Sequence, residues 1–254
     1  MNDDLGHPVA PTRPARRVVS LVPSLTEAVA ATRPDALVGA TDWCTHPADL
    51  DVTRVRGTKN PDRAAIAALR PDLVIANREE NRELDITRLR DAGIPVWVTV
   101  IETVDEAFAS MRRLMTEALG WEVPDWLLRA ERVWAEPAEA SGRRVAVPIW
   151  RDPWMVVGSR TFTGDLLGRL GLVNAFDDPA RNPGADRYPH ADLATIDDVD
   201  LVLLPDEPYV FTADDGPEAF TRSPTVLVSG RALTWYGPSL VTARAELEGQ
   251  LSAR

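Results

Sequence analysis

From residue 17 onward, short apolar runs alternate with stretches of helical periodicity. Arg17–Val22 (RVVSLV), Ala36–Ala40 (ALVGA), Leu73–Ala76 (LVIA) and Pro95–Val100 (PVWVTV) read as buried strands, since such runs suit a sheet covered on both faces. Between them, Ser24 or Thr26 caps a helix through Ala31. Asn60 as N-cap and Pro61 at the first helical position start a helix to Leu69. A third helix ends at Asp91 before Gly93, and Thr103 with Glu106 forms a capping box for a fourth, to about Leu119. The alternation restarts with strands at Arg144–Trp150 and Met155–Val157. A helix follows over Phe162–Leu170, with Thr163 as its cap and Gly171 as its stop, and then strands Leu201–Leu204 and Thr225–Val228. A loop, Leu233–Gly237, and a helix, Pro238–Leu251, close the pattern.

One segment stands between the two series. In Pro124–Ser141, Trp126, Leu127, Ala130, Val133 and Trp134 recur at helical spacing, Pro124 fits the first turn, and Pro137 ends or kinks the helix. A helix here joins two α/β lobes and leaves a cleft for a small ligand; the other reading is one large α/β domain with an ordinary surface helix. The expected boundaries are a disordered arm over 1–15, a first lobe over 16–123, the connecting helix over 124–141 and a second lobe over 142–254. The aspartate-led runs LRPDLVIA and DVDLVLLP echo each other too faintly to be a repeat.

Composition narrows the function. The 254 residues carry a net charge of −11, which excludes a nucleic-acid partner, and no apolar stretch is long enough to span a membrane. Lys59 is the only lysine among 28 basic residues, and Cys44 is the single cysteine, so no internal disulfide exists. The opening MNDDLGHPVAPTRPARR has no apolar core and no lipid-attachment cysteine, so it reads as neither signal peptide nor anchor; the expectation is a cytoplasmic protein.

Residues just after each strand are the candidate ligand lining, because open α/β sheets bind beyond their carboxyl ends. The first half supplies Ser24, Trp43, Lys59, Asn77 and Glu80 as expected ligand contacts, with Pro23, Cys44, Thr45, His46, Glu79 and Asn81 beside them; the second supplies Trp150, Arg151, Trp154, Trp235 and Tyr236, with Pro205, Glu207 and Tyr209 beside them. Aromatic walls with few polar groups suit a large, partly flat ligand. Trp97 and Trp134 fit the core equally well. Cys44, His46 and Glu79 or Glu80 are the reactive candidates for an enzyme, and His46, His190 and carboxylates those for a direct metal-ion binder. No motif for a nucleophile elbow, a phosphate loop or a metal site is present, so no catalytic or metal residue is assigned.

The ordered series RVVSLVPSLTEAV, VGATDWCTHP, GTKNPDRAAIAALRPDLVIAN and LRDAGIPVWV continues with TFTGDLLGRLGLVNAF, DDVDLVLLPDEPY and SGRALTWYGPS. Over about Arg16–Leu251 it resembles the helical-backbone (class III) substrate-binding proteins of ABC importers, the group that binds cobalamin, ferric siderophores and haem, and is most similar to its cobalamin-binding member. The resemblance implies an α/β fold of two Rossmann-like lobes, a rigid connecting helix and a ligand cleft between the lobes. It implies reversible, non-catalytic binding of a corrinoid or a siderophore- or haem-like metal chelate, with no required cofactor. An ABC transporter is the implied partner, or a cytoplasmic acceptor protein if the chain stays inside. An enzyme acting on a tetrapyrrole or metal chelate on the same fold is the alternative. Two departures stand out: members of the group are exported, and aromatic positions expected after GTKN and LVIA are here Lys59 and Asn77. Lys59 and Arg151 are expected to pair with anionic groups of the ligand.

Overall fold

The computed structural model describes residues 1–252; the last two residues of the expected second lobe, 253 and 254, lie outside that range. In the first half, strands β1 (Val18–Ser20), β2 (Leu37–Ala40), β3 (Thr53–Arg54), β4 (Leu73–Asn77) and β5 (Val96–Thr99) form one parallel sheet in the order β3-β2-β1-β4-β5. Helices α1 (Pro23–Thr32), α2 (Arg63–Ala68), α3 (Glu83–Asp91) and α4 (Val104–Arg113, followed by a π-helical turn at Leu114–Ala118) connect and follow the strands. Every residue of β4 is buried, and Val19, Leu21, Ile66, Val74, Ile86 and Val98 belong to one apolar cluster. The continuous apolar run at Leu73 therefore became a central strand, as double-sided burial requires.

The second half repeats the scheme with a parallel sheet in the order β11-β10-β6-β9, from β6 (Arg144–Ala146), β9 (Val173–Asn174), β10 (Leu201–Pro205) and β11 (Thr225–Val228). The expected strand over Arg144–Trp150 is divided. Its end, β7 (Pro148–Trp150), leaves the sheet and pairs antiparallel with β8 (Met155–Val156). Pro148 lacks the N–H that a central strand would donate. The remaining helices are α5 (Asp125–Trp134), α6 (Phe162–Arg169), α7 (Leu193–Ile196), α8 (Gly230–Thr234) and α9 (Leu240–Ser252).

The two aspartates that precede β4 and β10 do the same work. Asp72 accepts the backbone N–H groups of Arg16 and Arg17 at 2.8 and 2.9 Å, and Asp200 accepts that of Arg144 at 2.7 Å. Each pins the start of the neighbouring central strand. Gly93 and Gly171 stop α3 and α6 in the left-handed region, at φ +77° and +74°, where a side chain is strained.

Several local expectations are corrected. Asp62, not Asn60, caps α2, accepting the Ala65 N–H; Thr161, not Thr163, caps α6 through Gly164. Part of the expected loop at 233–237 is helical, in α8. The connecting helix is shorter than 124–141, ending at Trp134, because Pro137 cannot continue it.

Nor is the amino-terminal segment a loose arm. Residues 1–9 fold into a small hairpin, with Asp3 N–H on His7 O and Val9 N–H on Met1 O, both at 2.9 Å. The buried Asp3 carboxylate accepts Leu5 N–H, His7 N–H and Val98 N–H and pairs with Arg90 at 2.5 Å. Asp4 donates its N–H to Val98 O and accepts from Val100 N–H, Ser110 and Arg113. The two acids thus cover β5, an edge strand whose free backbone groups would otherwise face solvent.

The chain divides into two compact units. One comprises Met1–Ile101, Glu106–Arg129 and Tyr236–Pro238; the other Glu102–Asp105, Ala130–Trp235 and Ser239–Arg254. The division falls inside α5. In the first unit, Trp126 donates to Thr32 at 2.9 Å; in the second, the buried Trp134 donates to Leu240 O at 2.9 Å.

Candidate functional site

In the first unit, the loops beyond β1, β3 and β4 are tied together by asparagines. Asn81 accepts Asn77 N–H at 2.9 Å and donates to Thr58 O at 3.0 Å and Leu21 O at 3.3 Å. Asn77, buried, accepts Glu79 N–H at 2.8 Å and Glu80 N–H at 3.3 Å and donates to the Thr99 hydroxyl at 3.0 Å. Asn77 therefore shapes the turn, with its side-chain oxygen and nitrogen both engaged within the unit. Asn81, in the candidate lining but not among the ten expected contacts, is the hub.

That turn positions Glu79 and Glu80. Lys59 donates to the Glu79 carbonyl oxygen. Burial pushes the Glu80 carboxyl above its ordinary range, with the Lys59 charge opposing the rise. Trp43 is 67% exposed, an aromatic face presented to solvent, whereas Ser24 is buried in the first turn of α1. Cys44 is fully buried. Thr26 donates to its sulfur at 3.0 Å and the Thr41 hydroxyl lies at 3.1 Å. Burial raises its pKa, although both hydroxyls work against the rise, which favours the protonated thiol.

In the second unit, β7 and the loop after β10 assemble an aromatic wall. Trp150, 48% exposed, meets Tyr209 edge-on at 5.8 Å; Tyr209 lies 4.7 Å from Phe211, and Trp154 stacks on Phe211 at 6.1 Å with an interplanar angle of 4°. Phe220 closes on Trp154 at 5.5 Å. Such offset and edge contacts hold large rings in fixed orientations. Tyr209, partly buried, belongs to this surface, whereas Phe211 and Phe220, 3% and 9% exposed, are core side chains that back it.

Arg151 crosses this wall with its guanidinium 5.5 Å over Trp154. It bonds to Asp215, to Glu218 at 2.5 Å, and lies 3.6 Å from Asp152. Its pairing with Glu218, reinforced by Asp215, raises its pKa further, and the same pairing with Arg151, aided by Gly216 N–H, lowers that of Glu218. Tyr209 donates to Asp215 at 2.7 Å, which holds its phenol above the usual range. The expected free cation for an anionic ligand is thus already paired within its own unit.

Trp235 and Tyr236 are each only 8% exposed, so they are packed side chains and not an open wall. His46 is half-buried with Nδ1 3.2 Å from the Thr45 hydroxyl, and His190 Nδ1 lies 3.2 Å from Trp154 O. Among the described residues, no group of three or more His, Cys, Asp or Glu side chains is placed to hold a metal ion, and no helix is long and apolar enough to cross a membrane. A cavity of about 720 Å³ lies in the first unit between the amino-terminal hairpin and α3, lined by Leu5, Val9, Ile86 and Arg90 among others; none of the ten expected residues borders it.

No family model matches the chain. Three vitamin B12-binding proteins are similar to it. Those of Pectobacterium carotovorum and Pectobacterium atrosepticum are 27% and 33% identical over 64% of this chain, and the matched segments span 62% and 63% of those relatives, less than two thirds of their length. That of Yersinia pestis is 31% identical over 93% of this chain and 91% of its own. Among solved structures, the periplasmic vitamin B12 binding protein BtuF of Vibrio cholerae superposes with a TM-score of 0.73 at 18% identity, covering 94% of this chain and 97% of that one. The periplasmic haem-binding protein BhuT, in complex with two haems, gives 0.70 at 23% identity over 93% and 97%. These likenesses establish the two-lobe α/β architecture. They also correct the cytoplasmic placement: proteins of this fold are described as periplasmic, so the composition of the first residues does not place the chain in the cytoplasm. With near-full-length kinship to the Yersinia protein and this architecture together, the chain belongs to the class III substrate-binding proteins of ABC importers.

Proposed function

We propose that this chain captures a corrinoid or a related metal chelate outside the cytoplasm, reversibly and without chemical change, and passes it to a membrane-embedded ABC transporter. The observation that carries this reading is the aromatic surface of Trp150, Tyr209 and Trp154 beyond β7 and β10, backed by the buried Phe211, where an open α/β sheet receives its ligand. Within the second unit the exposed Trp150 and half-buried Trp154 are the stacking groups, and within the first the exposed Trp43 is a further aromatic face. Lys59 and Glu80 are the polar contacts. Ser24, Asn77, Trp235 and Tyr236 hold the loops in place, and Arg151 orients the wall. Relatives named for vitamin B12 and a neighbour holding haems support the ligand class. The protonated, buried thiol of Cys44 speaks against an enzyme built on it.

Equilibrium titration and thermal melting with cyanocobalamin, haemin and a ferric siderophore test the proposal. A ligand present at a hundred times its dissociation constant adds about 2.7 kcal/mol, a rise of roughly 5–10 °C in a chain of this size. The ligand must be recovered unchanged. Absence of stabilisation by all three, or conversion of the bound compound, overturns the reading.

A further inference from the structure

Arg151 is one of the two cations expected to meet anionic groups of a ligand, yet its partners leave it no net charge to offer. Three carboxylates face one guanidinium: Asp215, Glu218 at 2.5 Å and Asp152 at 3.6 Å. The two nearest are themselves fixed. Tyr209 donates to the second oxygen of Asp215 at 2.7 Å, and the backbone N–H of Gly216 to the second oxygen of Glu218 at 2.6 Å. The guanidinium also lies over the Trp154 ring, which limits its freedom to swing toward a new partner. An arginine held this way by two positioned carboxylates is a neutralised group, and its surroundings carry excess negative charge.

We propose that Asp215 and Glu218 are specificity-determining residues: by clamping Arg151 they make the aromatic wall reject ligands bearing carboxylates on the ring periphery and accept a flat ligand whose rim is amide-bearing or cationic. This rests on the binding-protein reading above and deepens it. A ring edged with carboxylates brings like charge against Asp152, Asp215 and Glu218, whose side chains are 44–85% exposed, so the repulsion is moderate and screened by salt. A ring edged with side amides meets the same carboxylates as hydrogen-bond acceptors.

The test uses matched probes. Cyanocobalamin carries uncharged side amides; in its monocarboxylic acids one amide is a carboxylate and the macrocycle is otherwise the same. The unaltered chain should bind the amide form more tightly by about tenfold, the size of one screened unit charge at such a site, and high salt should shrink the difference. Asp215→Asn with Glu218→Gln releases Arg151 and should abolish or invert the preference. Glu218→Gln alone, which keeps the Tyr209–Asp215 bond, should halve it on a logarithmic scale, so the outcome does not depend on the double variant folding. Arg151→Gln exposes the carboxylates and should widen the preference. Equal affinity for both forms in the unaltered chain, or an unchanged ratio in the folded Glu218→Gln and double variants, overturns the proposal. Tight binding of haemin, with its two propionates, by the unaltered chain overturns it too, while upholding the binding-protein reading. If no corrinoid or haem binds at all, this proposal falls, while stabilisation by the ferric siderophore still upholds the binding-protein reading.

Discussion

At the scale of residues, exposure separates side chains that serve the fold from those available to a ligand. Trp43 and Trp150 contribute little core burial, so Trp43→Ala and Trp150→Ala should each shift stability by no more than about 0.5 kcal/mol. Each should nevertheless weaken cyanocobalamin binding about tenfold or more, read by titration, as loss of an aromatic anchor does. Asn81→Ala should do the reverse. It strips partners from Asn77, Leu21 and Thr58 and should cost about 1–3 kcal/mol in denaturant unfolding. Glu80 adds a pH signature. Because burial raises its pKa in the folded chain, the folded state holds its proton more tightly than the unfolded one. Stability therefore falls as pH rises from the unfolded carboxyl value through the folded one. Glu80→Gln should melt above the parent at about pH 8 and show no such advantage near pH 4. The sequence indicated where the chemistry gathers, because strand ends are legible as the polar residues that follow apolar runs. It did not indicate what those residues do. Arg151 reads as a free cation until Asp215 and Glu218, more than sixty positions away, are seen bonded to it.

At the scale of elements, apolar runs located β4, β5, β10 and β11 to within a residue or two; for β4, β5 and β10 complete burial leaves a continuous signal, while β11 is a partly exposed edge strand whose residues are nonetheless apolar or β-branched. The division of the run at Pro148 and the docking of the first residues did not show. Both depend on tertiary pairing: β7 with β8, and Asp3 and Asp4 with the β5 edge. An acid-rich opening looks like a solvated tail when the strand it caps lies about a hundred residues away. Asp4→Ala should leave Arg113, Ser110 and Val100 N–H short of a partner and cost about 2–3 kcal/mol by chemical denaturation. Helix α5 should be as sensitive. Ala130 is fully buried in mid-helix, and Ala130→Pro both removes a backbone donor and clashes with the preceding turn, a loss of about 3 kcal/mol or more.

At the scale of the whole molecule, two α/β units and a strongly acidic surface frame what the chain can meet. The net charge of −11 predicts no retention on heparin or DNA columns at physiological salt, a direct check on the exclusion of nucleic acid. The single cysteine offers something more. Cys44 is wholly buried behind Thr26 and Thr41 and no second thiol exists in the chain. Its alkylation by a small thiol reagent therefore becomes an internal stopwatch. The reagent can react only when the loop after β2 opens, so the labelling rate at low reagent concentration reads the free energy of that opening, and its slowing by a bound compound reports occupancy without any dye, tag or intrinsic colour in the ligand.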